Sequence, residues 1–557
     1  MKKGDGHEKF GRRDFVKGMT FGLATALITT SPLKALAQED KNRIPEITIL
    51  YYTVIAEQDD IWKLVTQDWK KLGLEIKLKV AAFAVVQKTS YTERNFDISS
   101  ISWGPTNERL DPTFHLEEHF HSRNKDIGGR NYGYYVNPEF DKYCDLQKSE
   151  LDRNKRREYV WKCQEILAKD YPAWYFGYTS NIQAYNSRDW EGVVPFPGSG
   201  IGGFLSPWTY LNIRPKAKRN TIRVAVGSVN TGLNPFAPQH IGQEGQLRFI
   251  YDTYLKIKPD LETGPWAAES WKIVNPKTVD ITLRSGMKFH DGKPVTVEDV
   301  KFTWDYTKKW AFPMYNWVTD TVDKSEVLDN RTVRFHLVRP HAPFIDQVLT
   351  YAIILPKHIW EKIPESAGVK SPVDWGNAQA IGSGPFKLGY WRKGEEGLFR
   401  ANKEHWHAPH IDGLIWREQM APDARVSGLI AGEVDISSAD MRPSQAKTLE
   451  RHNYLKVVIN PSHRLFMARP NMRRKPFDDR EFRRALFHAI NLKKIHQIVF
   501  EGAGDEGRNT PISPVFKVWH NSKIPPVDFS LDKARQILKD AGYSWDSAGR
   551  LCFPKGK

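Results

Sequence analysis

"VDITLRSGMKFHDGKPVTVEDVKFTWDY" (279–306) holds a strand, a turn and the start of a helix in one run. Alternation through Ile281 and Leu283 predicts a half-buried strand, and "HDGKP" (290–294) a tight turn. Thr296 predicts an N-cap, with Glu298 and Asp299 in the first turn, where the helix dipole favours negative charge. Further along, "AIGSGPFKLGYW" (380–391), "IDGLIWR" (411–417) and "LIAGEVDIS" (429–437) repeat the theme of short elements parted by Gly turns. This is the pattern of a mixed α/β or α+β domain.

Working outward, "TIRVAVG" (221–227) reads as a fresh first strand. Before it stand "VVPFPGSGIGGFLSPW" (193–208) and "IRPKAKRN" (213–220), the strongest linker signal in the chain. Residues 137–170 read as two helices. Further upstream, "PEITILYY" (45–52) predicts a buried strand. A helix over 59–72 follows, with Ile61, Leu64, Val65 and Trp69 inward and Gly73 ending it. "LEIKLKV" (74–80) then predicts a half-exposed strand. This βαβ-like unit starts without any introductory element. At the other end, Leu538 and Ala541 close an amphipathic helix, Gly542 caps it, and Leu551-Cys552-Phe553 begins a strand just before the sequence stops.

A chain of 557 residues predicts two or three domains. Apolar content of 40% with 27% charged residues excludes a disordered chain. The first 37 residues read as an address: Arg12-Arg13 precede an apolar stretch (19–30) too short to be a permanent span, and Ala35-Leu36-Ala37 offers a cleavage site. Paired arginines there resemble a twin-arginine export signal. With no Cys after that site, a soluble periplasmic protein without a lipid anchor is expected. The segment holds seven Lys/Arg and three Asp/Glu, so the formal charge falls from +16 to +12 without it. The basic residues are scattered, apart from short clusters such as "RNKRR" (153–157), and predict a solvated surface rather than a nucleic-acid partner. Cys144, Cys163 and Cys552 lack metal-ligand spacing; export would permit a Cys144–Cys163 disulfide, and inert thiols are the other reading.

Seven segments together resemble the extracellular solute-binding proteins of family 5, the peptide-, nickel- and oligosaccharide-binding receptors of ABC importers. They are 283–304, "GSGPFKL" (382–388), "AGEVDI" (431–436), "KPFDDREFRRALFHAIN" (475–491), "DKARQILKDAGY" (532–543), "FDISSISWGPTNERLDP" (96–112) and 137–172. The resemblance covers nearly all of 44–557, in register only after a cyclic shift. Segments that follow 532–543 in the family lie here at 45–112, and the family's mature start lies at 221. The resemblance thus implies an α/β, two-lobed periplasmic binding protein (type II, large cluster C kind) with a hinge and central cleft, circularly permuted. Lobe I would be continuous over 184–460, its old termini bridged near 213–220. Lobe II would be split between 44–183 (its second half) and 461–557 (its first half).

The resemblance implies no catalysis, no cofactor and no resident metal. It implies a monomer that hands a small solute to a membrane permease and an ATPase. Family members carry a Trp-x-x-Asp element whose Asp pairs with a peptide's α-ammonium. Here Trp103 and Gly104 are followed by Thr106 and Asn107, and a hydroxyl cannot neutralise a buried ammonium. Glu108 or Asp111 could compensate through a shifted loop, although Asp111-Pro112 matches the family's separate Asp-Pro. The departure points from an ordinary di- or oligopeptide, the alternative ligand, toward an oligosaccharide, a peptide-like solute or another uncharged amphiphile. Rings expected near the cleft are Trp103, Tyr315, Trp317, Phe386, Tyr390 and Trp391, with Phe386 and Trp391 equally readable as core. His240 and Glu244, after "GLNPF" (232–236), are candidates by position. A competing reading is a zinc metallopeptidase: "HLEEH" (115–119) fits an inverted zinc motif with His115 and His119 as ligands and Glu118 as base.

Overall fold

Among the described residues, eleven strands form the central sheet. They are β1 (Ile47–Tyr51), β2 (Ile76–Val80), β3 (Ile98–Ser100), β4 (Trp174–Asn186), β5 (Thr221–Val226), β6 (Phe386–Arg392), β7 (Glu396–Ala401), β8 (Gly413–Glu418), β9 (Ile436–Ser437), β10 (Leu455–Pro470) and β11 (Asp505–Glu506). Their order is β6-β7-β8-β5-β9-β4-β10-β3-β1-β2, with β11 on β4. The computed structural model describes residues 42–53, 57–104, 106–203, 207–227, 229, 232–237, 245–312, 315–419 and 421–556. The proposed export signal (1–37), His240 and Glu244 lie outside them.

β4 and β10 are long antiparallel partners, paired from Leu455↔Asn186 to Ala468↔Trp174. The ladder breaks between Pro461 and Leu465, so Ser462, His463 and Arg464 bulge out of β10. Such bulges re-aim side chains and bend the strand. The chain explains the break: Pro461 cannot donate to a ladder, and three polar residues interrupt an apolar run.

Apolar cores lie along this pair of strands. The largest draws its buried residues from a continuous stretch between Tyr185 and Ile436. A second joins both ends of the chain: Ile47, Trp62 and Trp69 pack with Phe482, Leu486, Leu538 and Leu551. A third sets Trp103, Phe114 and Phe120 against Leu465, Met467 and Phe516. Each fully buried large apolar side chain contributes about 1.5–3 kcal/mol.

Local readings hold at several points. Thr296 caps the helix Val297–Trp310 in a capping box, its N–H donating to Asp299 Oδ2 at 2.9 Å. Residues 57–70 are helical with Ile61, Val65 and Trp69 buried, while Leu64 is half-buried and Gly73 turns the chain at φ +85°. β2 is an edge strand whose outward Lys77 and Lys79 guard it against further pairing. Cys144 and Cys163 are buried free thiols, and burial together with the neighbouring Cys163 pushes Cys144 well above its usual pKa.

The linker reading of 193–208 needs correction. Within it, Phe196 and Ile201 are fully buried. Gly198 sits at φ +84°, and a Cβ there would lie 2.1 Å from His463 Nδ1; one at Gly200 would lie 2.3 Å from Gln183 Oε1. The glycines serve close approach to β4 and β10 rather than freedom. In the next stretch, 213–220, Arg214 and residues 216–218 are exposed.

Candidate functional site

The Trp103 element docks onto β10 directly after the bulge. Trp103 N–H donates to the Leu465 carbonyl at 3.0 Å, and Leu465 N–H returns a bond to the Trp103 carbonyl at 3.1 Å. A Cβ at Gly104 would lie in ordinary van der Waals contact, 3.8 Å from the Arg464 guanidinium, which places that cation beside the loop. The indole ring has His119 at 4.5 Å, with Arg109 and Arg130 guanidiniums 5.2 and 5.7 Å from its centroid. Arg109 also donates to the Gly104 carbonyl, fixing the loop.

Several buried polar atoms gather here without hydrogen-bond partners: Trp103 Nε1, Thr106 Oγ1, Asn181 Oδ1 and Ser199 Oγ. The Thr106 main chain stands beside the His463 imidazole. Unpartnered buried groups are costly, and in native proteins they mark sites filled by water or a ligand. Burial, with Arg109 and Arg464 adding to it, holds His463 well below the usual histidine pKa. His119 is lowered for the same reasons, with Arg469 and Arg130 as its nearest cations.

Across from the bulge, Asp440 receives Asn181 Nδ2 at 3.0 and 3.1 Å and Gln183 Nε2 at 3.3 Å. Gln183 also donates to the Ser438 carbonyl at 2.7 Å and accepts from Ile201 N–H at 2.7 Å, tying the glycine segment to β4. Burial raises the Asp440 pKa despite the field of Arg464. Asp440, Asn181, Gln183, Ser199, His463 and Arg464 were missed in the sequence. The signal that could have found the last two is "NPSHR" (460–464), a polar run inside an apolar strand.

The structure divides the sequence-derived residues. Trp103, Gly104 and Thr106 meet at the bulge, and Asn107 starts the short 3-10 turn Asn107–Leu110 after them. Phe386 is fully buried against Phe249 in the largest core and is not a cleft residue. Trp391 packs on that same core, and Tyr390 OH donates to Glu396 at 2.7 Å. Tyr315 is core as well, accepting from Ile353 N–H at 2.9 Å, while Trp317 meets Tyr351 edge-on at 4.7 Å. These five therefore do not join the Trp103 cluster. Asp111 cannot stand in for a missing acid: it is buried and bound by Arg156 at 2.7 and 2.8 Å.

The "HLEEH" side chains do not converge either. His115 Nε2 pairs with the Arg109 carbonyl, Glu118 with Arg130 at 2.8 Å, and Glu117 with Lys148 at 2.6 Å. His119 turns into the rings of Trp103 and Phe114. Among the described residues no group of three His, Cys, Asp or Glu could hold a metal ion.

Comparison with known proteins gives the class. The periplasmic oligopeptide-binding protein of an oligopeptide ABC transporter from Thermotoga maritima superposes with a TM-score of 0.50 at 24% identity, over 59% of this chain and 64% of that one. The fold is that of the two-lobed periplasmic binding proteins. The model of bacterial extracellular solute-binding proteins, family 5 Middle, matches residues 262–554, and the chain belongs to that family. It is 30% identical over 314 residues to the oligopeptide-binding protein AppA of Bacillus subtilis (strain 168), covering 55% of this chain and 56% of that protein. It is 28% identical over 318 residues to the dipeptide-binding protein of Escherichia coli (strain K12), covering 53% and 58%. The chain thus spans little more than half the length of these relatives. Among the described residues no helix is long and apolar enough to cross a membrane.

Proposed function

We propose that this chain is the periplasmic solute receptor of an ABC importer, a non-enzymatic monomer that closes two lobes on a small solute. It delivers that solute to a separate permease and ATPase, and residues 1–37 export it by the twin-arginine route. The observation that carries this reading is the set of buried, unpartnered polar atoms around the β10 bulge, in a chain of the solute-binding family. Burying a solute whole and satisfying its polar groups is what such a cluster can do. Similarity to oligopeptide- and dipeptide-binding proteins favours a peptide-like solute, and Thr106 disfavours an α-ammonium anchor.

The permuted order belongs to the same proposal. Residues 44–183 then supply the part of lobe II that 461–557 lacks, and 184–460 is lobe I. Its support is the joint core of the two chain ends, with Trp545 Nε1 donating to the Leu72 carbonyl at 2.8 Å and Arg535 to Lys71 at 2.6 Å. Chain order can change where old and new ends fall in exposed turns.

Mass spectrometry of small molecules retained by protein purified from its own host tests the receptor reading; a stoichiometric solute is expected. Zinc-dependent peptidase activity that vanishes in Glu118→Ala would reverse it. Proteolytic nicking within 216–218 should leave a folded, solute-competent complex, and loss of lobe I on nicking would count against the permuted order.

A further inference from the structure

The bulge carries a cation with nothing to hold. Among the described residues the Arg464 side chain makes no hydrogen bond and no ion pair; only its main-chain N–H is engaged, by Ser462 Oγ at 3.2 Å. It is half-buried beside Gly104. Guanidinium groups in such settings are ordinarily forked onto a carboxylate or phosphate.

Its surroundings favour an anion. Arg109 and Arg130 stand over the neighbouring indole, and both buried imidazoles are lowered partly by these cations, which reports a positive local field. The described acids nearby are engaged: Asp111 by Arg156, Glu118 by Arg130, and Asp440 by two side-chain amides within the field of Arg464. Thr106 adds a buried hydroxyl, and Trp103 a buried N–H, each without a partner. A positively charged group would meet repulsion here and, among the described side chains, no carboxylate that is not already engaged; an oxyanion would meet a free guanidinium and two ready donors.

We propose that Arg464 is the specificity-determining residue of the solute site and receives a carboxylate of the captured molecule, with Thr106 Oγ1 and Trp103 Nε1 as supporting donors. The inference rests on the receptor reading and narrows its solute range to members that carry an acid group. The β10 bulge gains a role: it turns Arg464 out of the ladder toward the Trp103 loop.

Matched acid and neutral probes test this by calorimetry on the full-length mature protein: N-acetyl-trialanine against its C-terminal amide, and glucuronate against glucose. In at least one pair the acid is expected to bind about tenfold tighter or more, the scale of a charge-assisted hydrogen bond. Arg464→Gln should erase that preference, and Arg464→Lys should restore part of it. Thermal melts should show both variants folded, because the side chain supports no described contact. Equal affinity within both pairs, no saturable binding of any of the four, or an acid preference that survives Arg464→Gln would overturn the proposal. Retention of a host solute by the wild type keeps the receptor reading standing in each of those cases, and its absence removes that reading separately.

Discussion

The main-chain N–H of Ile44 donates to the carbonyl of Leu551 across 3.0 Å, and Leu551 N–H donates in turn to the Gly73 carbonyl at 2.8 Å. Residues 507 positions apart in sequence thus share one hydrogen-bonded corner. Leu551 is fully buried among residues of both chain ends. Leu551→Ala should cost about 2–5 kcal/mol, the range for a large-to-small change in a core. Urea denaturation monitored by tryptophan fluorescence measures it, and a loss under 1 kcal/mol would show that the two ends do not depend on each other.

Gly198 tests the corrected reading of 193–208. At φ +84°, with His463 Nδ1 only 2.1 Å from the position of an added Cβ, Gly198→Ala must displace the bulge or the loop. About 1–3 kcal/mol of stability should be lost, from left-handed strain and overpacking together. Gly292→Ala, also at positive φ but with open space around the added Cβ, is the control and should lose less. Equal losses in the two variants would return 193–208 to the status of a simple linker.

Elements were legible in the sequence wherever local chemistry decided them. The capped helix after Thr296, the helix with Trp69 inward and the edge strand with Lys77 and Lys79 all follow from periodicity and capping. The Trp103–Thr106 part of the site came from a motif position. The rest was hidden because it is assembled at long range: Gln183 meets Ser438 across 255 residues, and Asn181 meets Asp440 across 259. Glycine and proline in 193–208 signal special backbone geometry, and composition alone does not say whether that geometry is a free linker or close packing. Rings misled similarly: Phe386 and Tyr315 are as suited to a core as to a cleft, and the core took them.

Part of the acid sensitivity should trace to two buried imidazoles at the site, His119 and His463. His119 and His463 have folded pKa values well below the ordinary 6.5, chiefly through burial. The unfolded chain therefore binds protons that the folded one refuses as pH falls below 6.5. Their contribution to stability is present above that value and is lost as pH drops toward the folded pKa. His463→Gln should shrink the fall in melting temperature between pH 7 and pH 5. An unchanged fall would mean that His463 titrates normally in the folded protein.

Arg153 forks onto Glu262 at 2.7 and 2.9 Å, linking the long helix Arg153–Asp170 to the hairpin of the largest core. Ala342 N–H reaches the Lys148 carbonyl at 2.7 Å nearby. On the two-lobe reading these contacts latch the closed form. Both side chains are about half exposed, so the pair is worth at most about 1 kcal/mol and weakens with salt. Arg153→Gln should loosen solute binding no more than about fivefold, with a smaller effect at 0.5 M salt. Small-angle scattering should show a larger open fraction without solute; an unchanged open fraction and affinity would remove the latch.

Thr106→Asp probes the departure on which the solute reading turns. The wild-type hydroxyl is buried and unpartnered, close to the His463 imidazole, in a field set by Arg109, Arg130 and Arg464. Because the described carboxylates near the loop are already engaged, N-acetylation of trialanine should leave its wild-type affinity within about threefold. The substituted carboxylate would lie in the reach of Arg464 and compete for it. It should weaken acidic probes by about tenfold while improving free-amine peptides by a similar factor, the scale of a charge-assisted bond. Calorimetry with acetylated and free-amine trialanine reads both changes in one experiment. Tight wild-type binding of the free-amine peptide that acetylation abolishes, unaltered in Thr106→Asp, would place the ammonium on some other carboxylate and end the argument from Thr106.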